Sequence, residues 1–240
     1  PQYIKFAIPF FILTMIIESL ILKKVGSKGH YRINDTINNL TMGIFSQIID
    51  FIFGLTFFFG YVWFYQNFRL FNLPEKSWYV WILCFLGYDF LYYVFHLVGH
   101  KVNIVWGSHE PHHSSEEFNY SVALRQGAFQ KFFSSSFYFP LAILGFHPIT
   151  WVICKQLNTI YQFIPHTRLI GKMWRPIEFL FSTPSHHRVH HAKNPEYLDK
   201  NFGGVFIIWD RIFGTFEEEK EEPLYGILQP LGNWNPFWGQ

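Results

Sequence analysis

The chain has 240 residues, room for one large domain or one membrane unit, with 22% aromatic and only 15% charged residues. Soluble domains carry about a quarter charged residues, so this chain is short of the charge a water-exposed surface needs. A net charge of +2 excludes a charge-driven nucleic-acid binder. Cys84 and Cys154 both lie in apolar runs and form no Cys-x-x-Cys, which excludes zinc-finger and thioredoxin-like sites and leaves two buried thiols.

Pro1 is not an initiator and nothing near it reads as a complete signal peptide, so the expectation is a fragment that lacks helices at one or both ends. Residues 3–22 form an apolar run of bilayer-spanning length, with Lys5 and Glu18 near its ends. Lys23, Lys24, Lys28, His30 and Arg32 follow, a basic cluster that places this end in the cytoplasm. Residues 33–38 are polar and read as a loop or helix start, with Asp35 as N-cap. Residues 40–65 form the second run. Asp50 inside it is either a functional carboxylate at membrane depth or an interfacial one with the span starting after it, and the second reading is preferred. Residues 66–77 make the opposite-side loop, and residues 78–98 the third span.

Two crossings return the chain to the cytoplasmic side. Residues 101–126 are polar and cannot be membrane core. Residues 128–165 are apolar again, broken at Gly145-Phe146-His147-Pro148, which suits a hairpin that enters and leaves on one face. Residues 168–178 alternate basic and apolar, as at a membrane surface. Residues 205–215 are too short to span, and the acidic run 217–222 reads as a solvated loop. The fold class is therefore all-α: one integral membrane helical bundle over residues 1–240, with a cytoplasmic cap made of residues 101–126 and 166–240.

Histidines mark that cap. His96 and His100 stand at i, i+4, while His109, His112 and His113 stand at i, i+3, i+4, and His187, His190 and His191 repeat that pattern after His186. On a helix such spacing turns imidazoles to one side. His30 and His147 stand alone and read as histidines satisfied by a backbone carbonyl. One zinc takes about four ligands, so eight clustered imidazoles imply two metal ions, or one ion with redundancy. Imidazole suits iron, zinc and copper, so the ligands do not name the metal. The competing readings are a structural zinc site, a metal transporter and an inactive scaffold. Transport expects ligands near mid-membrane, whereas these lie at span ends. A redox metal beside apolar helices points to oxidation of a lipid C–H bond, a step for which protein side chains lack the reactivity.

His96-x-x-x-His100, His109-x-x-His112-His113 and His187-x-x-His190-His191 resemble the histidine boxes of the fatty acid hydroxylase/sterol desaturase superfamily. The words HEPHHSSEEFNYSVALRQ (109–126), QFIPHT (162–167), YRINDTINNLTMG (31–43) and the stretch 183–216 resemble its alkylglycerol monooxygenase branch. The likeness runs over about residues 31–230. It implies a membrane enzyme that uses O2 and two iron ions, with zinc the alternative occupant of purified protein. The implied ligands are His96, His100, His109, His112, His113, His187, His190 and His191, with His166 as a ninth. Gln162 stands where some members carry a further histidine, a departure from the pattern. His186 and Asn201 are implied supports of the ligands. Asp89, seven residues before His96, either orients that ring or makes a cap-like contact. Glu117, Asn119, Arg125 and Asp210 fall in the same words. The branch implies hydroxylation of an ether lipid beside its oxygen, with tetrahydrobiopterin as reductant. The alternatives are a desaturase or acyl hydroxylase outcome and a redox protein as electron donor. The implied location is the bacterial inner membrane or the endoplasmic reticulum.

Overall fold

The computed structural model describes residues 3–26 and 31–239, so Pro1, Lys28 and His30 lie outside the described residues. Eleven α-helices appear among the described residues: α1 (Tyr3–Val25), α2 (Ile33–Phe68), α3 (Trp78–Lys101), α4 (Asn103–His113), α5 (Tyr120–Leu124), α6 (Gln130–Ser135), α7 (Phe139–Leu144), α8 (Pro148–Phe163), α9 (Arg175–Leu180), α10 (Pro184–His190) and α11 (Ile208–Phe213). Two short 3-10 helices, Ser136–Tyr138 and Pro195–Tyr197, and two isolated β-bridges, Phe181 with Phe206 and Ala192 with Tyr225, occur beside them.

Three helices, α1 to α3, are long and apolar enough to cross a membrane. Their patterning is inverted relative to a soluble protein. Phe6, Phe51 and Trp78 are each at least 74% exposed, whereas Glu18, Asp35, Asn39 and Asp89 are buried. Apolar side chains turned outward and polar ones turned inward suit a hydrocarbon solvent. This is an integral membrane protein.

The second helix departs from the sequence reading at both ends. It is one continuous rod of 36 residues, about 54 Å at 1.5 Å per residue, well beyond a hydrocarbon core of about 30 Å. Residues 33–38 are helix rather than loop, and Arg32 rather than Asp35 is the N-cap. Asp35 lies buried in the first turn, where its carboxylate accepts from Asn39 Nδ2 (2.9 Å) and Ser115 Oγ (2.8 Å). That polar turn is stable as helix because its side chains bond to the cap instead of to their own backbone. Asp50 does not break the rod, and it pairs with Lys131 of α6.

One limb of the 128–165 segment is α6 and α7, and the other is α8. Gly145 ends α7 at φ +96°, a left-handed conformation with the carbonyl of Phe71 packed against its α-carbon, so no side chain fits there. Pro148 then opens α8. His147 is half-buried, and its Nδ1 accepts from Ile149 N (3.3 Å). Its partners are thus a helix N–H and, from Nε2, the Glu75 carboxylate (3.7 Å), and not the backbone carbonyl anticipated for it. Between the hairpin and the long helices lies an aromatic core. Tyr61 stacks on Trp151 at 4.2 Å and Tyr88 on Tyr138 at 4.4 Å, with the buried thiols Cys84 and Cys154 beside them.

Residues 217–222 are the loop that their charge suggested, with Glu218, Lys220, Glu221 and Glu222 exposed, but the loop is tied to the cap at several points. Glu219 makes a two-pronged bond to Arg188 (2.7 Å to each carboxylate oxygen), and both side chains are largely buried. Glu221 N donates to Tyr197 Oη (2.6 Å) and Glu217 N to Asn201 Oδ1 (2.9 Å). The run is held because Arg188 and the loop before it need acceptors that a charge count along the chain does not reveal.

Candidate metal centre

Four segments bring nine histidines together. The α3 helix carries His96 and His100, α4 carries His109, His112 and His113, the turn after α8 carries His166, and the end of α10 carries His187, His190 and His191. They sort into two groups. His96, His100, His109, His113 and His190 form one, and His112, His166, His187 and His191 form the other, with candidate ligand atoms in each lying within 4.8 Å of one another.

The two boxes are shared crosswise. In α4 the i, i+4 pair His109 and His113 joins the five-histidine group while His112 turns to the other. At the end of α10 the i, i+4 pair of His187 and the capping His191 joins the four-histidine group while His190 turns back to the first. A step of four residues rotates about 40° on a helix and a step of three about 60° the other way, so one box can serve two centres. The groups adjoin, with the His113 and His191 rings stacked at 4.4 Å.

Backbone carbonyls decide which nitrogens face inward. The Nδ1–H groups of His96, His112, His166 and His190 donate to the carbonyls of Phe202 (2.8 Å), Arg125 (2.7 Å), Gln162 (2.7 Å) and Lys200 (2.9 Å). Their Nε2 atoms are therefore lone-pair acceptors. Yet His112 Nε2 and His166 Nε2 face each other at 3.4 Å, and His190 Nε2 and His100 Nε2 are buried without a partner. Facing lone pairs repel unless a cation lies between them. The donor set therefore fits one imidazole-loving metal ion per group.

Burial sets the protonation. Desolvation drives His109 and His166 down to about 3, and with neighbouring imidazoles it holds His112, His113, His187, His190 and His191 well below the ordinary value. All seven are neutral at pH 7, the form that binds a metal.

The supporting residues depart from the simple picture. Asp89 does not reach His96; its carboxylate accepts from Asn158 Nδ2 (2.6 Å), Val205 N (2.7 Å), Phe206 N (3.1 Å) and Trp209 Nε1 (2.9 Å). His186 lies in neither group and pairs with Glu178 (2.9 Å), fixing the start of α10. Asn201 touches no ligand ring; its Nδ2 donates to His186 O (3.1 Å) and Glu217 O (2.8 Å). Gln162 offers His166 its backbone carbonyl, while its side chain donates to Asn158. No residue type in the sequence signals the carbonyls of Lys200 and Phe202, because they are backbone groups. Glu18, read only as a charge near the end of the first span, was a signal that could have been taken further, since an acid inside an apolar run asks for a partner.

Three membrane-length helices together with two adjoining groups of buried histidines define an integral membrane protein with a histidine-rich centre. The model of the fatty acid hydroxylase family matches residues 81–215, more than half of the chain. The chain belongs to the fatty acid hydroxylase family. It is 43% identical to human alkylglycerol monooxygenase over 237 residues and 44% identical to the Xenopus tropicalis protein of that name over 238, covering 99% of this chain in each case. It spans about half the length of these relatives, 53% and 52%. A cholesterol 25-hydroxylase-like protein of Danio rerio is 26% identical over 227 residues, 90% of this chain and 88% of that one. No solved structure matches the chain.

Proposed function

We propose that this chain is the catalytic core of a membrane monooxygenase that hydroxylates a lipid C–H bond with O2, the preferred substrate being an alkylglycerol oxidised at the carbon beside its ether oxygen. The observation that carries this reading is the pair of adjoining histidine groups, neutral and facing inward under a cap at the ends of the spans. The likeness to alkylglycerol monooxygenases over nearly the whole chain supports the choice of lipid.

The nine histidines are the ligands in this reading, five for one iron and four for the other. The irons supply the oxygen-activating redox chemistry that side chains lack. Neutral imidazoles bind without first losing a proton, and their carbonyl-bonded Nδ1 atoms keep Nε2 aimed inward. The Phe118, Phe202 and Trp106 rings pack against the imidazoles and keep water from them. One oxygen atom of O2 enters the C–H bond and the other leaves as water, with two electrons and two protons from a donor. A reduced pterin is the preferred donor, and a redox protein is the alternative. The hydroxylated ether carbon is a hemiacetal, which collapses to an aldehyde and a glycerol. The basic residues Lys23 and Lys24 in the last turn of α1 support a site that faces the cytoplasm, and exposed Trp174 and Phe179 around α9 suit contact with the bilayer surface.

The test is metal analysis of detergent-purified protein together with O2 uptake on an alkylglycerol plus reduced pterin. Two irons per chain and pterin-dependent uptake are expected. Two metals without uptake would redirect the search to other lipids and donors, and protein that binds no metal in fresh membranes would overturn the enzyme reading.

A further inference from the structure

The segment 200–206 carries no histidine, yet it orients two of them. The carbonyls of Lys200 and Phe202 accept the Nδ1–H groups of His190 and His96. Both rings belong to the five-histidine group. The oriented rings of the other group, His112 and His166, use the carbonyls of Arg125 and Gln162 instead.

Two buried carboxylates hold this segment. Asp210 of α11 accepts from Phe202 N and Gly203 N, 2.7 Å each, so it grips the very residue whose carbonyl meets His96. Thr215 Oγ1 donates to the same carboxylate (2.7 Å). Asp89 of α3 grips the other end through Val205 N and Phe206 N. Both acids are fully buried, and among the described residues no cationic side chain forms an ion pair with either. Their charges are therefore compensated by hydrogen-bond donors, chiefly the amides of the segment they hold. The approach is close enough to require glycine. A Cβ at Gly203 would lie 2.9 Å from Asp210 Oδ2, and one at Gly204 would lie 2.8 Å from Asp89 Oδ1. Between the two working carbonyls Asn201 takes φ +57°, fixed by its bonds to Glu217 and His186.

We propose that Asp210, with Asp89 at the far end of the segment, is a positioning residue for the five-histidine group in preference to the four-histidine group, acting by clamping the 200–206 segment so that its carbonyls hold His96 and His190. This rests on the reading that each group binds one ion. Outer hydrogen bonds to histidine ligands are worth about 10–100-fold in metal affinity, which sets the size of the effect.

The experiment is titration of metal-stripped wild type and Asp210→Asn with Co(II) in detergent, following stoichiometry and the ligand-field spectrum, with folding checked by size exclusion and melting. The wild type takes two ions. The variant, whose amide NH2 faces backbone N–H donors, takes one ion at wild-type affinity and the second about 10–100-fold more weakly. In the His190→Ala background the same change adds little, because the group it serves is already broken. Thr215→Val, which removes one donor from Asp210 and keeps the carboxylate, gives a smaller weakening of the same ion and decides the matter if Asp210→Asn does not fold. Equal weakening of both ions, or none in a folded variant, overturns the clamp. A wild type that binds no ion overturns the two-ion reading instead.

Discussion

The two histidine groups share their helices and their imidazole chemistry but not their supports. The five-histidine group leans on a segment of the cap held by carboxylates that accept backbone amides. The four-histidine group leans on the first membrane helix and on an ion pair. Glu18 of α1, fully buried, accepts from Tyr120 N (2.8 Å) and from Thr167 Oγ1 (2.5 Å), the residue after His166. Arg188 donates to Thr167 O (3.1 Å) and Ile170 O (2.7 Å) while bonded to Glu219. A centre whose halves are anchored in different parts of the chain can lose one half without the other. The variants that follow test that independence.

The largest effect comes from removing a ligand. His112→Ala and His190→Ala, one from each group, each abolish lipid oxidation while the protein still inserts in the membrane. Each also loses one ion of two, as metal analysis would read. Full activity in either variant would remove the metal cage, and loss of both ions from one substitution would end the claim of independence.

Acid is expected to act on both groups alike. An unfolded imidazole takes a proton near pH 6.5. Folded His109 and His166, one from each group, take theirs near 3. Between those values the unfolded chain binds more protons. The stability of metal-free protein is therefore complete above about pH 6.5 and falls as the pH drops toward 3. Each histidine contributes up to about 1.4 kcal/mol per pH unit. Unfolding midpoints should hold between pH 8 and 7 and fall progressively from about pH 6.5 down to 5, whereas midpoints unchanged down to pH 5 would show that the folded imidazoles take up protons in the ordinary range.

Much of the centre was legible from spacing, because i, i+3 and i+4 are local geometry. Three of the four segments were read from that spacing, and the His166 turn only from the family resemblance. The crosswise split of the boxes was not read, since both spacings bring rings to roughly one side and only the tertiary fold shows which rings meet. The supports were the least legible. Glu18 and Thr167 stand 149 residues apart, and Asp89 and Val205 stand 116 apart. No periodicity reaches that far, and the working groups at one end are often backbone, which carries no residue signature. Asp35 was misplaced as a cap for the same reason: its partner Ser115 lies 80 residues away.

A smaller and more selective effect is expected at the ion pair. Removing one partner of a buried pair costs about 3 kcal/mol, because the other charge is left in a poorly solvated place. Glu219→Ala should lower the unfolding midpoint accordingly. It should also weaken the ion of the four-histidine group, since Arg188 then loses the brace that points it at the His166 turn. The five-histidine ion should be unchanged, and its loss in step with the other would show that the two supports form one network.

The smallest effect concerns Gln162, which stands where some members of the superfamily carry a histidine. If the four-histidine group lacked a ligand there, Gln162→His would restore one and tighten that ion. The geometry argues otherwise. The Gln162 side chain donates to Asn158, whose own amide donates to Asp89, so it faces the support of the five-histidine group. Only its carbonyl serves His166, and a substitution keeps the carbonyl. Gln162→His should therefore leave the metal count at two and the four-histidine ion unchanged. It should cost about 1 kcal/mol for the lost hydrogen bond, with any weakening confined to the five-histidine ion. Tighter binding at the four-histidine group, read from the same Co(II) titration, would instead make position 162 a vacant ligand site and place α8 among the helices that hold the metal directly.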